Sequence, residues 1–207
     1  MPELVAENRD RLAADLGDQV TSWVWLHQVH GDAVAVADDL RHASPGTPPE
    51  ADAAVTTVAG TAVCVLAADC APIALVGDRA VAVVHAGWLG LEAGVIGRAV
   101  GALRRHDPSP GGPVRAVLGP CIRPGRYEFG PTDLARLVGR FGPTVAATTE
   151  WDTPAFDLPE AVRLELAAAG VDDVLDLDVC TSVSPDHFSH RRDGVTGRQA
   201  VVAVLEP

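Results

Sequence analysis

Residues 68–88 read ADCAPIALVGDRAVAVVHAGW. Two apolar runs, Ile73–Val76 and Ala80–Val84, flank Gly77-Asp78, and this short spacing predicts an antiparallel hairpin. An acid and a thiol, Asp69 and Cys70, stand before the first run, and an imidazole, His85, closes the second. A two-residue turn at Gly77-Asp78 sets Val76 opposite Arg79. It also carries Cys70 opposite His85 on one face, with Cβ atoms roughly 4.5–5.5 Å apart. That distance suits a thiolate–imidazole pair or two ligands of one metal. Pro72 lacks the N–H that a ladder uses, which places a bulge or a sheet edge there. A slip of one residue would send one of the two side chains to the other face.

Working outward, Ala53–Thr57 and Thr61–Ala67 read as strands. Val20–Leu26 (VTSWVWL) is rich in β-branched and aromatic residues and reads as another. It runs into HQVHGDAVAVAD, where Gly31-Asp32 predicts a second hairpin with Ala33–Ala37 as its return strand. Val5–Leu16 has helical spacing and stops at Gly17, and His42–Glu50, with three prolines, is a loop. Downstream, Leu91–Arg105 and Thr132–Phe141 read as helices. Val114–Leu118 is a strand stopped by Gly119-Pro120. Asp157 and Glu160 have capping-box spacing at the start of a helix over Leu158–Ala169, with Gly170 as its stop. Val174–Val179 and Ala200–Leu205 complete the strands. With no repeat, linker or composition break, the pattern predicts one domain over residues 1–207. Its class is α/β of α+β character, a layered domain with mixed, hairpin-rich sheets flanked by helices.

Aromatic residues make up only 4% of the 207-residue chain, so Ala, Val and Leu must fill the core. The formal net charge of −12 repels phosphate backbones and anionic lipid, which argues against nucleic acid and membranes as partners. A small anionic substrate stays compatible with a locally basic pocket, and Arg191-Arg192 is one such spot. No window approaches the roughly 20 apolar residues of a membrane span. The N-terminus carries acids from its third residue and has no apolar signal core. The four cysteines, Cys64, Cys70, Cys121 and Cys180, form neither a CxxC pair nor a disulfide framework, which points to the cytoplasm.

In HQVHG, His27 and His30 are three apart and point to opposite faces of a strand, so both cannot serve one site. His30 sits at a strand end beside the turn, where functional groups gather, and His27 reads as a half-buried surface residue. His30, Cys70 and His85 together make a His–Cys–His donor set that leaves a tetrahedral zinc ion one open position. The alternative is a Cys70 packed as a small hydrophobe, with the histidines as polar strand ends.

LHQVHGDAV, ADAAVT, LAADCAPIAL, VVHAGWLG, LGPCI and FSHRRDGVTGRQA occur in this order. Together they closely resemble the YfiH-type laccase-domain family, from about Asn8 to Leu205. The resemblance implies a zinc-dependent purine nucleoside phosphorylase with adenosine deaminase activity, whose substrates are a purine nucleoside and phosphate. It puts the zinc ligands on His30, Cys70 and His85, with copper as an adventitious occupant of the same donors. The catalytic set it implies is Cys70, His85, Asp69 and Cys121. Taken by itself, Cys121 follows Gly119-Pro120 and is as readily a packed thiol as a reactive one. Asp69 either orients a ligand or caps a turn. The substrate and phosphate set is Arg191, Arg192, Asp193 and Arg198, although Arg192 and Asp193 alone read as a solvated ion pair. Asp69, Asp193 and His190 are the candidates for a general acid or base.

Two departures from the family stand out. Many members carry arginine after the tryptophan of HAGW, where this chain has Leu89, so phosphate must find another cation among Arg191, Arg192 and Arg198. The chain also starts near the family's ENR helix, without the glycine-rich segment and first strand of longer members. Two further functions compete with the phosphorylase. One is a metal-free Cys–His hydrolase or deamidase, since the Cys70–His85 couple resembles that of a deamidating bacterial toxin fold; it leaves His30 without a role. The other is a non-catalytic metal- or nucleoside-binding protein. Multicopper phenol oxidation needs a histidine-rich trinuclear cluster, and the seven histidines contain no His-x-His pair.

Overall fold

The computed structural model describes residues 2–40, 47–109 and 111–206. In chain order the elements are α1 (Pro2–Leu16), β1 (Ser22–Trp25), β2 (Val34–Val36), α2 (Ala37–Leu40), β3 (Ala53–Thr56), β4 (Thr61–Ala67), β5 (Ala71–Val76) and β6 (Val81–Ala86). They continue as α3 (Trp88–Ala93), α4 (Val95–His106), β7 (Arg115–Leu118), α5 (Pro131–Phe141), β8 (Ala146–Thr148) and β9 (Pro154–Phe156). The last four are α6 (Leu158–Ala168), β10 (Asp173–Asp176), α7 (His190–Asp193) and β11 (Gln199–Val204). Residues 42–46 of the expected loop His42–Glu50 lie outside the described residues.

A six-stranded mixed sheet, β10-β7-β5-β6-β3-β2, forms the central layer. Alternation along its strands separates two cores. Val55, Ile73, Leu75 and Val84 face the helices, where Val95, Ile96, Val100 and Leu103 of α4 and Leu158, Val162 and Leu166 of α6 are buried against them. Ala54, Val81 and Val83 face the other way, against Val63 and Val65 of the three-stranded sheet β1-β4-β11. Each fully buried Leu, Ile or Val contributes roughly 1.5–3 kcal/mol. Small residues such as Ala53, Ala54, Ala71 and Ala82, all without exposed surface, let the layers approach closely. His85 shares the face of Val81 and Val83, so it sits at the end of the seam between the two sheets.

Several expectations change. The predicted hairpin around Gly31-Asp32 does not form. β1 pairs parallel with β4 in the small sheet, and β2 pairs parallel with β3 in the large one. Residues 26–33 are therefore a crossing between layers. The expected helix Leu91–Arg105 is two helices, because Gly94 takes a left-handed φ of 90° that ends α3 and starts α4. The strand expected over Val174–Val179 stops at Asp176, whose side chain accepts the Asp178 N–H at 2.8 Å while Asp178 turns to a φ of 52°. β8 and β9 form a small hairpin that the sequence reading left out. The Asp157 cap forms as expected, its carboxylate accepting from the Glu160 N–H at 2.9 Å.

Glu165 on α6 is 8% exposed and carries a pH signature. One oxygen accepts from Arg140 at 3.2 Å, and the other is buried with no hydrogen-bond partner among the described residues. Burial outweighs Arg140 and lifts the carboxyl from 4.5 to about 7. The folded chain thus holds a proton that the unfolded chain releases between those values. This contribution to stability is complete below about pH 4.5 and is lost as pH rises through about 7. Melts of wild type and Glu165→Gln from pH 4.5 to 8 should diverge by about 3 kcal/mol, with the variant favoured at high pH. Parallel curves would refute this.

Candidate metal centre

The β5–β6 hairpin carries two of the three donors, in a register different from the simple expectation. Val76 pairs with Val81 and Pro72 with His85, so the connection is the four residues Gly77–Ala80 and not a two-residue turn. Asp107, just past α4, is the cause: one of its carboxylate oxygens accepts from the Asp78 and Arg79 N–H groups at 3.0 and 3.1 Å. Cys70 therefore lies diagonal to His85. The shift is two residues, so both keep the same face, as the period of a strand requires. Pro72 and His85 form a non-hydrogen-bonded pair, the His85 N–H going to the Asp52 carbonyl at 2.7 Å, and Pro72 sits just past the end of the β5–β7 ladder, where its carbonyl accepts from the Gly119 N–H at 2.9 Å.

The third donor arrives on the crossing between layers. Gln28 bridges to β4, its amide donating to the Leu66 carbonyl at 2.8 Å and accepting from the Leu66 N–H at 2.9 Å. His30 then adopts a φ of 61°, a conformation that histidine tolerates better than most side chains. One buried carboxylate, Asp52, receives the N–H groups of Val29, His30 and Gly31 at 3.1, 3.0 and 2.7 Å. The same carboxylate accepts from His85 Nδ1 at 2.8 Å. A carboxylate can only accept there, so His85 Nδ1 carries a proton and Nε2 is the nitrogen turned to the ligand position.

The ligand atoms of His30, Cys70 and His85 all lie within 4.8 Å of one another, with His30 Nε2 and Cys70 Sγ 3.7 Å apart. Burial opposes charge on both Cys70 and His85, yet hydrogen bonding prevails. His30 and His85 lower the thiol, while Asp52 and the thiol raise His85. The thiolate is the form that binds a metal. Two imidazoles and a thiolate at this separation fit a tetrahedral ion with one open position. Gly87 leaves the space: a Cβ there would stand 2.7 Å from the His30 ring and 3.2 Å from Cys70 Sγ.

A cavity of about 440 Å³ opens over the cluster, within the roughly 300–1,000 Å³ range of small-molecule sites. His30, Cys70 and His85 line it together with His27, Gln28, Leu26, Leu66, Ala67, Ala68, His190 and Arg198. The remaining sequence-derived residues fall elsewhere. Asp69, at a φ of 91°, spends its two oxygens on the Thr181 hydroxyl and the Arg191 N–H, both at 2.6 Å. It thus ties the C-terminal segment to the corner before Cys70. Cys121 has no exposed surface, and burial pushes its thiol up to about 12, as expected of a packed residue. Arg191 donates to the Glu128 carbonyl and lies over the Tyr127 ring. All five N–H donors of Arg192 are taken, by both oxygens of Asp193 and by the carbonyls of Thr181, Ser184 and His187, leaving none for phosphate. Leu89 is 42% exposed and lies outside the cavity lining. Asp52 and Gln28 are the residues that sequence reasoning missed. The only signal for Asp52 was an acid standing against an alanine-rich strand in ADAAV.

A sequence profile of the family described as multi-copper polyphenol oxidoreductase laccase matches residues 1–206. The chain belongs to this family. A purine nucleoside phosphorylase of Streptomyces coelicolor is 40% identical over 201 residues, covering 96% of this chain and 81% of the relative. Among solved structures, a Neisseria meningitidis protein of the DUF152 family superposes with a TM-score of 0.85 at 32% identity, covering 100% of this chain and 83% of that one. YfiH of Bacillus licheniformis superposes with a TM-score of 0.86 at 26% identity, covering 97% and 80%. The laccase-type fold therefore spans the chain, and the His–Cys–His set is a donor set that could hold a metal. No helix among the described residues is long and apolar enough to cross a membrane.

Proposed function

We propose that this laccase-type protein is a zinc-dependent purine nucleoside phosphorylase. The observation that carries the reading is the His30–Cys70–His85 set at the floor of a cavity, in a chain 40% identical to a protein named for that activity. Thiolate and imidazole donors suit zinc, and a divalent ion held there supplies Lewis-acid polarisation at the cavity floor. In phosphorolysis a phosphate oxygen bonds to C1′ of the nucleoside as the bond to the purine nitrogen breaks, through an oxocarbenium-like transition state. The departing base takes up a proton.

His190 supplies that proton. Of the three acid–base candidates, only His190 lines the cavity; the Asp69 oxygens are bonded to Thr181 and Arg191 and those of Asp193 to Arg192. Its Nδ1 donates to the Gly194 carbonyl at 2.7 Å, so the proton given to the base is the one that the imidazolium form carries on Nε2, leaving the neutral ring behind. Arg198 is the guanidinium on the cavity wall and the cation for phosphate in place of Arg191 and Arg192. His190→Gln should lower kcat for inosine about 10²-fold while leaving zinc content unchanged. A 7-methylated purine nucleoside, whose base leaves without a proton, should lose much less. Equal losses on both substrates would remove His190 from this role.

Adenosine deamination is a second reaction for the same floor, because the donor set is chemically close to the His/Cys sets of zinc deaminases. Chromatography of adenosine reactions with and without phosphate separates adenine from inosine. A metal-free hydrolase also has an observation in its favour, since Asp52, His85 and Cys70 are chained as an acid, a base and a thiol. Metal analysis of protein purified without added metal decides between them: about one zinc per chain supports the phosphorylase, and full activity without metal supports the hydrolase.

A further inference from the structure

We infer that Asp52 is a positioning residue that assembles the metal centre from two separate parts of the chain; this rests on the reading of His30, Cys70 and His85 as metal ligands. Asp52 closes the turn into β3, has no exposed surface, and makes four hydrogen bonds through one carboxylate. Three of them come from consecutive backbone N–H groups, Val29 to Gly31, and so fix the backbone that presents His30. The fourth fixes the ring and the tautomer of His85 on β6. Its own carbonyl also receives the His85 N–H at 2.7 Å, so backbone and side chain of one residue hold the same ligand.

The chemistry of these partners is specific to a carboxylate. Every group facing Asp52 is a donor, and the N–H groups of Val29 and Gly31 converge on one oxygen while those of His30 and His85 converge on the other. An amide in its place presents an NH₂ to one of the two converging pairs. It then either pushes the His30 backbone away or turns the His85 ring to its other tautomer, in which Nδ1 accepts from the amide and Nε2, the nitrogen facing the metal position, carries the proton. Ring partners of this kind keep a histidine aligned on its metal, and losing one costs about 10–100-fold in affinity. Here one residue serves two ligands, and the β3 turn becomes part of the metal site without touching the metal.

The test compares wild type with Asp52→Asn using zinc in competition with a chromophoric chelator, and cobalt(II) as a spectroscopic probe. The expected result is a dissociation constant for zinc about 10–100-fold weaker in the variant. The visible cobalt bands should also shift and weaken as one imidazole leaves the tetrahedral arrangement, a readout that a purely structural role would not move. Equal zinc affinity and identical cobalt spectra in the two proteins would overturn the inference. Should the variant not fold, nitrogen-15 spectra of histidine-labelled wild type with zinc bound give the answer. A retained Nδ1–H on His85 with metal at Nε2 supports the inference, and metal at Nδ1 overturns it. If wild type takes up neither zinc nor cobalt, the ligand reading itself falls and this inference falls with it.

Discussion

Replacing Cys70 with serine should abolish tight zinc binding and reduce phosphorolysis to background, while the protein still folds. The thiolate is the one anionic donor of the set, and its sulfur lies 3.7 Å from His30 Nε2. A serine hydroxyl stays neutral at pH 7 and leaves two imidazoles facing the ion. The loss should exceed the about 10–100-fold that follows removal of a residue which merely supports a ligand. Folding should survive because Cys70 stands outside the β5 ladder, which begins at Ala71. Zinc titration and nucleoside assays on the same preparation check both halves. Retention of tight zinc binding by Cys70→Ser would remove Cys70 from the ligand set.

Gly87→Ala should have an effect nearly as large from a single added methyl group. Gly87 has φ −78° and ψ 167°, extended values that alanine adopts freely, so the backbone need not change. The new Cβ is the whole perturbation, and at 2.7 Å from the His30 ring it forces that ring to move. Zinc affinity should fall by about 10–100-fold, as for other losses of ligand alignment. The melting temperature of the metal-free protein should stay close to that of wild type. Unchanged zinc affinity would mean that His30 sits elsewhere in the bound state.

The shared face of Cys70 and His85 was legible in the sequence for a reason more forgiving than the register. The turn reads as two residues and is four, yet an even shift preserves the face, so the two side chains still converge. The extra residues were invisible locally because Asp107, which holds them, lies 28 and 29 residues away from the N–H groups it accepts. The same limit hid Asp52, whose partners are 21 to 33 residues distant. Gly31-Asp32 misled because its composition suits a hairpin, whereas the chain there passes from the small sheet to the large one. Arg192 and Asp193 were legible as a pair. The three carbonyls that complete the Arg192 shell were not, since backbone acceptors leave no mark on a sequence. His27 shows the opposite case: period-two reasoning removed it from the site of His30, but the crossing after β1 brings it to the same cavity wall.

The seam between the two sheets has a consequence for how the molecule comes together. The donors at its open end belong to the crossing from β1, the corner before β5 and the end of β6, and the crossing is moored to β4 and to the turn before β3. Cys70 and His85 meet within one hairpin, but His30 is 40 residues from Cys70, and the parallel ladders β1–β4 and β2–β3 require long loops to close first. An early hairpin therefore presents two of the three donors, and the set is complete only when the layers dock. A metal bound there would act as a clasp on the docked layers: it should lengthen the lifetime of the folded protein far more than it hastens folding.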